Sequence, residues 1–251
     1  MICARRNSCA AYGEVTVATF VLIHGAAGSA WDWHLLAGEL RERGHDVVAA
    51  NLPCDDDSAG LSEYADAVIN AIEGRTDLVV VAHSFAGFTA PLVCDRVPVD
   101  MLVMLNAMVP APGEAPGDWW ENTNHADAQR KQAERDGVTA DEADDPMYVF
   151  LNDVPPDLAA EALTRQRGQS GTPLEAPWAL ERWPDVPTRF LLSRDDHFFP
   201  AEFMRRLVHE RLGITPDEID GGHLVALSRP EELADRLEDY LREHRGSTLT
   251  G

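Results

Sequence analysis

VVVAHSFAGFTA, residues 79–90, carries an apolar run onto a histidine and a serine, then passes through small residues into a second apolar segment. A run that is apolar throughout, rather than alternating, belongs to a strand covered on both faces, as in a parallel sheet between two helix layers. A polar Ser84 at the end of such a strand needs a reason. In open parallel sheets the ligand crevice lies at the carboxyl ends of the strands, and Ser84 would stand on that edge. Ala82, Ala86 and Gly87 leave room for a tight strand-to-helix turn that exposes the serine oxygen. The same turn points helix N-terminal amides at whatever the serine attacks. A-H-S-F-A replaces both glycines of the commoner G-x-S-x-G with alanine, and an N-cap serine is the competing reading of Ser84.

Outward from this stretch the chain alternates strand and helix. TFVLIHG (19–25), DVVAANLP (46–53), DLVVVA (77–82) and VDMLVMLNA (99–107) read as buried strands. WDWHLLAGELRERG (31–44) and LSEYADAVINAIEG (61–74) have helical apolar spacing, and a further helix is expected from Phe85 to about Arg96 with a bend at Pro91. The pattern predicts an α/β fold, a mostly parallel sheet with helices on both faces. From 108 to 186 no strand pattern survives, and this stretch holds four of the six tryptophans; it is expected to be a helical cap inserted into the core. Trp119, Trp120, Trp178 and His125 in it are read as the cap's own core rather than as site residues. The core resumes with PTRFLLS (187–193), FPAEFMRRLVHERLG (199–213) and TPDEID (215–220). A last helix follows, with a capping box from Ser228 to Glu231 and buried Leu233, Leu237 and Leu241. Residues 17–107 and 187–245 therefore form the core, and 1–16 a loose N-terminal extension.

Composition narrows the function. The 251 residues carry 21 Lys plus Arg against 43 Asp plus Glu, a formal charge of −22. That field repels phosphate backbones and anionic lipid, which argues against nucleic acid as a partner. No apolar run reaches the ~18 residues of a membrane helix. Cys3, Cys9, Cys54 and Cys94 form neither a CxxC pair nor a zinc spacing with histidine, so neither a metal site nor a disulfide framework is expected. A reducing, cytoplasmic setting is the default.

A serine hydroxyl needs a base, and the base an orienting group. SRDDHFFP places Asp195 and Asp196 after the strand 187–193, and GGHLVAL places His223 after the next strand, behind two glycines. Both loops fall on the edge that carries Ser84. His24-Gly25 after the first strand lets the chain turn so that the amides of Ala26 and Phe85 can form an oxyanion hole. A nucleotide-binding loop at Gly25 and Gly28 is the rival reading. It lacks the third glycine of G-x-G-x-x-G, and the strand at 46–53 ends in Asn51 rather than an acidic residue. His83 is read as packing beside Ser84.

FVLIHGAAGSAWDWHLL, VVVAHSFAG, SRDDHFFP and GGHLVALSRPEEL match, in order, the landmarks of the α/β-hydrolase superfamily. The chain resembles most the branch of small bacterial esterases, plant methylesterases and hydroxynitrile lyases. The resemblance implies an α/β-hydrolase fold with Ser84 as nucleophile, Asp196 as acid and His223 as base. It favours Asp196 over Asp195, because the acid of this branch usually precedes the loop proline, here Pro200, by four residues; some members have five, which would select Asp195. It also implies oxyanion amides from Ala26 and Phe85, no metal or organic cofactor, and a small-molecule ester as substrate. Hydroxynitrile lyases of this branch carry a lysine after the catalytic histidine, where this chain has Leu224, and tend to have threonine at the position of Gly25. Hydrolysis is therefore expected over cyanohydrin cleavage. Noncatalytic binding proteins and natural-product tailoring enzymes of the same fold are the alternatives.

Overall fold

The computed structural model describes residues 17–248. The expected extension 1–16 lies outside them, as do Cys3 and Cys9. Six strands, β1 (Thr19–Ile23), β2 (Asp46–Ala50), β3 (Leu78–His83), β4 (Met101–Leu105), β5 (Thr188–Ser193) and β6 (Asp217–Ile219), form one sheet in the order β2-β1-β3-β4-β5-β6. Every pairing is parallel, with Phe20 opposite Val47 and Val79, and His83 opposite Leu105. The five carboxyl ends that matter, those of β1, β3, β4, β5 and β6, consequently open on one edge.

The run VVVA is apolar throughout because its two faces are both covered. On one side Val79, Val81 and Phe20 pack with Leu36 and Leu40 of α1 (His34–Glu42) and Leu233 of the last helix. On the other, Val80 and Ala82 pack with Tyr64 and Val68 of α2 (Leu61–Ile72). Each such leucine or valine, fully removed from water, contributes about 1.5–3 kcal/mol, which is what pins the register of the strand that delivers Ser84.

Three local expectations change. Ser84 opens a separate 3-10 turn, Ser84–Gly87, and the helix proper, α3, begins at Ala90 and runs to Arg96. Pro91 thus lies in the first helical turn, where a missing N–H costs nothing, and the expected mid-helix bend is absent. The capping box at Ser228 is also not made. Ser228 is the last residue of a short helix, and its Oγ is buried without a hydrogen-bond partner, because Arg229 rather than Ser228 directly precedes Pro230. Leu233, Leu237 and Leu241 are buried as read.

Between β4 and β5 the described chain contains helices and loops: α4 (Trp119–Thr123), α5 (His125–Asp136), α6 (Ala140–Ala143), α7 (Pro146–Val149), α8 (Pro156–Arg165) and α9 (Thr172–Glu175). After β5 come α10 (Ala201–Leu212), α11 (Val225–Ser228) and α12 (Pro230–Thr248). Among the described residues no helix is long and apolar enough to cross a membrane.

Candidate active site

Ser84 leaves β3 with φ of 56°, a left-handed conformation that costs a non-glycine residue on the order of 1–3 kcal/mol. The surroundings hold it there. Its carbonyl accepts the Met108 amide at 2.9 Å, and Gly87 lets the turn press on the same residue, since a Cβ at 87 would lie 1.8 Å from the Met108 carbonyl oxygen. Gly25 clears the other side, where a Cβ would come within 2.9 Å of the Ser84 Cβ. Gly87 is therefore required by backbone approaching backbone, and Gly25 by backbone approaching the Ser84 side chain.

Asp196 and His223 are brought together. His223 Nδ1 donates to Asp196 Oδ2 at 2.8 Å, and both side chains are shielded from solvent. The other carboxylate oxygen accepts the amides of Phe198 and Phe199 at 2.9 and 2.8 Å. Asp195 does not reach the histidine. Its side chain is exposed, and its backbone bonds to Gly221 O and Asn152 Nδ2. Asp196, not Asp195, also takes the amides that lead into α10. His223 and Ser84 line one cavity of about 370 Å³, yet no hydrogen bond joins the serine hydroxyl to the ring. Such contacts often tighten only around substrate.

The backbone of His223 is anchored independently of its ring. Its carbonyl accepts from His83 Nε2 at 2.9 Å and from Asn106 Nδ2 at 3.2 Å. Asn106, buried and at φ 43°, also binds Ser193 through both ends of its amide: Oδ1 accepts the Ser193 amide at 2.6 Å and Nδ2 donates to Ser193 Oγ at 2.8 Å. Burial, with the neighbouring His223 second, holds the His83 imidazole well below its ordinary pKa, so it stays neutral. It packs beside Ser84 as read from sequence. Asn106 was missed. The available signal was a polar residue ending an apolar strand, the same one that marked Ser84.

Ala26 and Phe85 both line the cavity. The Phe85 amide lies at the second position of its 3-10 turn, among the first amides that have no acceptor within a helix. The Ala26 amide is likewise absent from the loop and turn hydrogen bonds of the described chain. Its neighbour Ala27 is held from the cap side, donating to Gln169 Oε1 at 3.0 Å and accepting the Arg167 amide at 2.8 Å. His24 fixes the start of this loop, donating from Nδ1 to Gly25 O at 2.8 Å and accepting the Leu52 amide on Nε2 at 3.0 Å. Burial lowers its pKa to about 4. Trp120, Phe150, Phe198 and Leu224 add the apolar wall of the cavity. Trp120 lines the site while packing on Trp119 and His125, and Trp119 and Trp178 are buried in the main core beside the sheet rather than in a separate core of their own segment. Among the described residues no group of three or more His, Cys, Asp or Glu could hold a metal ion.

An open six-stranded parallel sheet with a strained serine after its third strand, and an aspartate-bound histidine on the same edge, is the framework of one large hydrolase class. The chain belongs to the alpha/beta hydrolase family, whose model matches residues 20–236. It is 25% identical over 252 residues to an alpha-hydroxynitrile lyase of Arabidopsis thaliana, covering 88% of this chain and 98% of that one. It is also 25% identical to polyneuridine aldehyde esterase of Rauvolfia serpentina, covering 88% and 94%. A crystal structure of polyneuridine aldehyde esterase superposes with a TM-score of 0.74 at 21% identity, covering 90% of this chain and 99% of the other. Relatives named as methylesterases place the chain in the same branch, and at this level they support hydrolase or esterase activity.

Proposed function

We propose that this protein is a serine esterase that cleaves a small-molecule carboxylic ester through an acyl-enzyme. The observation that carries the proposal is the Asp196–His223 hydrogen bond of 2.8 Å beside a left-handed Ser84 in one cavity. Ser84 Oγ attacks the ester carbonyl while His223 Nε2 takes its proton, and Asp196 holds the Nδ1–H tautomer that leaves Nε2 free. The amides of Ala26 and Phe85 bind the oxyanion. Collapse of the tetrahedral intermediate expels the alcohol, which takes the proton from His223. Water then enters, gives a proton to His223, attacks the acyl carbon, and releases the acid and Ser84. This chemistry needs no metal or organic cofactor.

Leu224 favours hydrolysis over cyanohydrin cleavage, because it presents an apolar side chain to the cavity directly after His223 and offers no charge for cyanide. Fluorophosphonate labelling with mass mapping tests the reading: Ser84 is the modified residue, and Ser84→Ala loses ester hydrolysis by on the order of a million-fold while folded. Labelling elsewhere, or cyanide release from mandelonitrile with esters inert, would reverse it.

A further inference from the structure

One carboxylate lining the cavity has no part in the proposed acyl transfer. Asp32 sits in the 3-10 turn Ala30–Trp33 after β1 and lines the same cavity as Ser84 and His223. Its Oδ2 accepts the Ser29 amide at 3.1 Å and presses against the loop at Gly28, where a Cβ would lie 2.3 Å away. Oδ1 has no hydrogen-bond or ion-pair partner among the described residues, yet it is not sealed from solvent. One oxygen completes the turn, and the other keeps its acceptor capacity unused in a residue that lines the cavity.

No cation pairs directly with this carboxylate among the described residues, and the nearby His34 offsets its burial only in part. Arg165, which also lines the cavity, is exposed, pairs with Glu161 at 2.8 Å and lies over the Trp31 ring. Arg167 pairs with Asp55. His34 is exposed and stacked on Trp31, while His24 and His83 are held neutral by burial. Burial accordingly raises Asp32 to a pKa of about 6, which leaves it mostly ionised at neutral pH. A partly buried, unpaired carboxylate is costly unless something pairs with it.

The rest of the cavity suits a cation. Trp120, Phe150 and Phe198 supply aromatic faces, which attract ammonium groups through their quadrupoles. The chain's charge of −22 draws cations toward any opening on the surface. A neutral hydroxyl would satisfy Oδ1 but would use neither the charge nor the rings.

Building on the esterase reading, we infer that the substrates of this site are esters carrying an ammonium group, with Asp32 as the counter-ion that sets specificity. Binding tests this apart from turnover. Choline and its uncharged isostere 3,3-dimethyl-1-butanol are titrated calorimetrically into the full chain and into Asp32→Asn, which keeps an oxygen for the Ser29 amide. The wild-type protein should bind choline at least about tenfold more tightly. Salt raised from about 0.05 to 0.5 M should weaken choline binding but not binding of the alcohol. In Asp32→Asn the ratio should fall to about one.

Turnover is compared as ratios of kcat/KM within two isosteric pairs, one with the charge on the alcohol and one with it on the acyl side. The first is acetylcholine against 3,3-dimethylbutyl acetate; the second is ethyl 4-(trimethylammonio)butanoate against ethyl 5,5-dimethylhexanoate. A cation preference in either pair that collapses in Asp32→Asn supports the assignment. Equal binding of choline and its isostere by the wild type, or a preference that survives Asp32→Asn, overturns it. If no ester is turned over but the Asp32-dependent choline preference stands, the esterase reading fails and the cation site remains. If esters are hydrolysed with no charge preference, the reverse holds.

Discussion

Asn106→Asp isolates the anchor of the His223 backbone. The substitution preserves shape, keeps an oxygen for the Ser193 amide and tolerates the left-handed backbone that Asn106 adopts. It removes the two N–H donors that serve Ser193 Oγ, the His223 carbonyl at 3.2 Å and the Gly222 carbonyl at 3.4 Å. An ionised carboxylate there would face two carbonyl oxygens in a buried site. A protonated one restores a single donor. Losing one buried hydrogen bond costs about 1–3 kcal/mol, and proton uptake at neutral pH adds to it, so about 2–3 kcal/mol of stability is expected to go. For a chain of this size that lowers Tm by about 5–10 °C.

The effect on rate is separate. The His223 carbonyl keeps the His83 donor at 2.9 Å, so the base is loosened rather than released. A shift of about 1 Å in a reacting group costs about a hundredfold. We expect kcat to fall about 10- to 100-fold, with fluorophosphonate labelling of Ser84 slowed in parallel, and stability to recover partly at pH 5 as the new carboxyl takes a proton. Thermal unfolding and single-turnover acylation measure the two. A lowered Tm with full kcat would show that the network holds only the fold, and no change in either would refute the reasoning altogether.

Asp196→Asn should lower kcat by on the order of 10⁴ by stabilising the wrong tautomer of His223, whereas Asp195→Asn, exposed and off the histidine, should cost less than about tenfold; the reverse ranking would move the acid. Gly87→Ala forces a Cβ to 1.8 Å from the Met108 carbonyl oxygen and should cost about 3 kcal/mol or more, or prevent folding. Gly38→Ala, in α1 with open space around it, should add about 0.5–1 kcal/mol. Equal unfolding midpoints for the two glycine variants would contradict the packing argument. His24, with a folded pKa of about 4 against 6.5, refuses a proton that the unfolded chain accepts, so its contribution is intact above pH 6.5 and lost on acidification, by about 2 kcal/mol at pH 5. His83 acts in the same direction. Asp32, raised from 3.8 to about 6, is protonated first in the folded state and offsets about 1 kcal/mol below pH 6. Urea unfolding at pH 7 and pH 5 should show a net loss that steepens in Asp32→Asn; a stability that rises toward pH 5 would reject this assignment.

The parts of the fold that could be read from sequence are those in which one physical requirement dominates a short window. Valines 79–81 needed only to be apolar on both faces, and the strand–helix rhythm followed. Pro91 and Ser228 went differently because their local signals depend on where a helix begins, and one residue of offset turns a helix breaker into a helix starter or strands a capping hydroxyl. Ser84 and His223 were visible as polar residues at strand ends beside glycine. Asp32 and Asn106 carry equally plain signals, a carboxylate in an aromatic turn and an amide ending an apolar strand. Their meaning depends on partners far along the chain: Asn106 binds Ser193 and the backbone at 222–223, a juxtaposition that only the β4–β5 pairing creates.

Backbone strain ties these residues together. Of the six non-glycine residues with positive φ among the described residues, Glu73 and Asn124 flank helix ends and Asp77 precedes β3, whereas Ala27, Ser84 and Asn106 follow β1, β3 and β4. Each of those three is pinned by a partner from another segment: Ala27 by Arg167 and Gln169, Ser84 by Met108, Asn106 by Ser193. At on the order of 1–3 kcal/mol each, three left-handed residues along one sheet edge would relax if those partners were weak. The sheet makes them strong, since β1, β3 and β4 are adjacent, parallel and buried on both faces. The strain is thus displaced from the strands, which cannot yield, to the loops that begin where the strands end. There it fixes the backbone of Ser84, the turn carrying the Ala26 amide and the backbone of His223, and under the proposed esterase reading this is the preorganisation that stabilising an oxyanion requires.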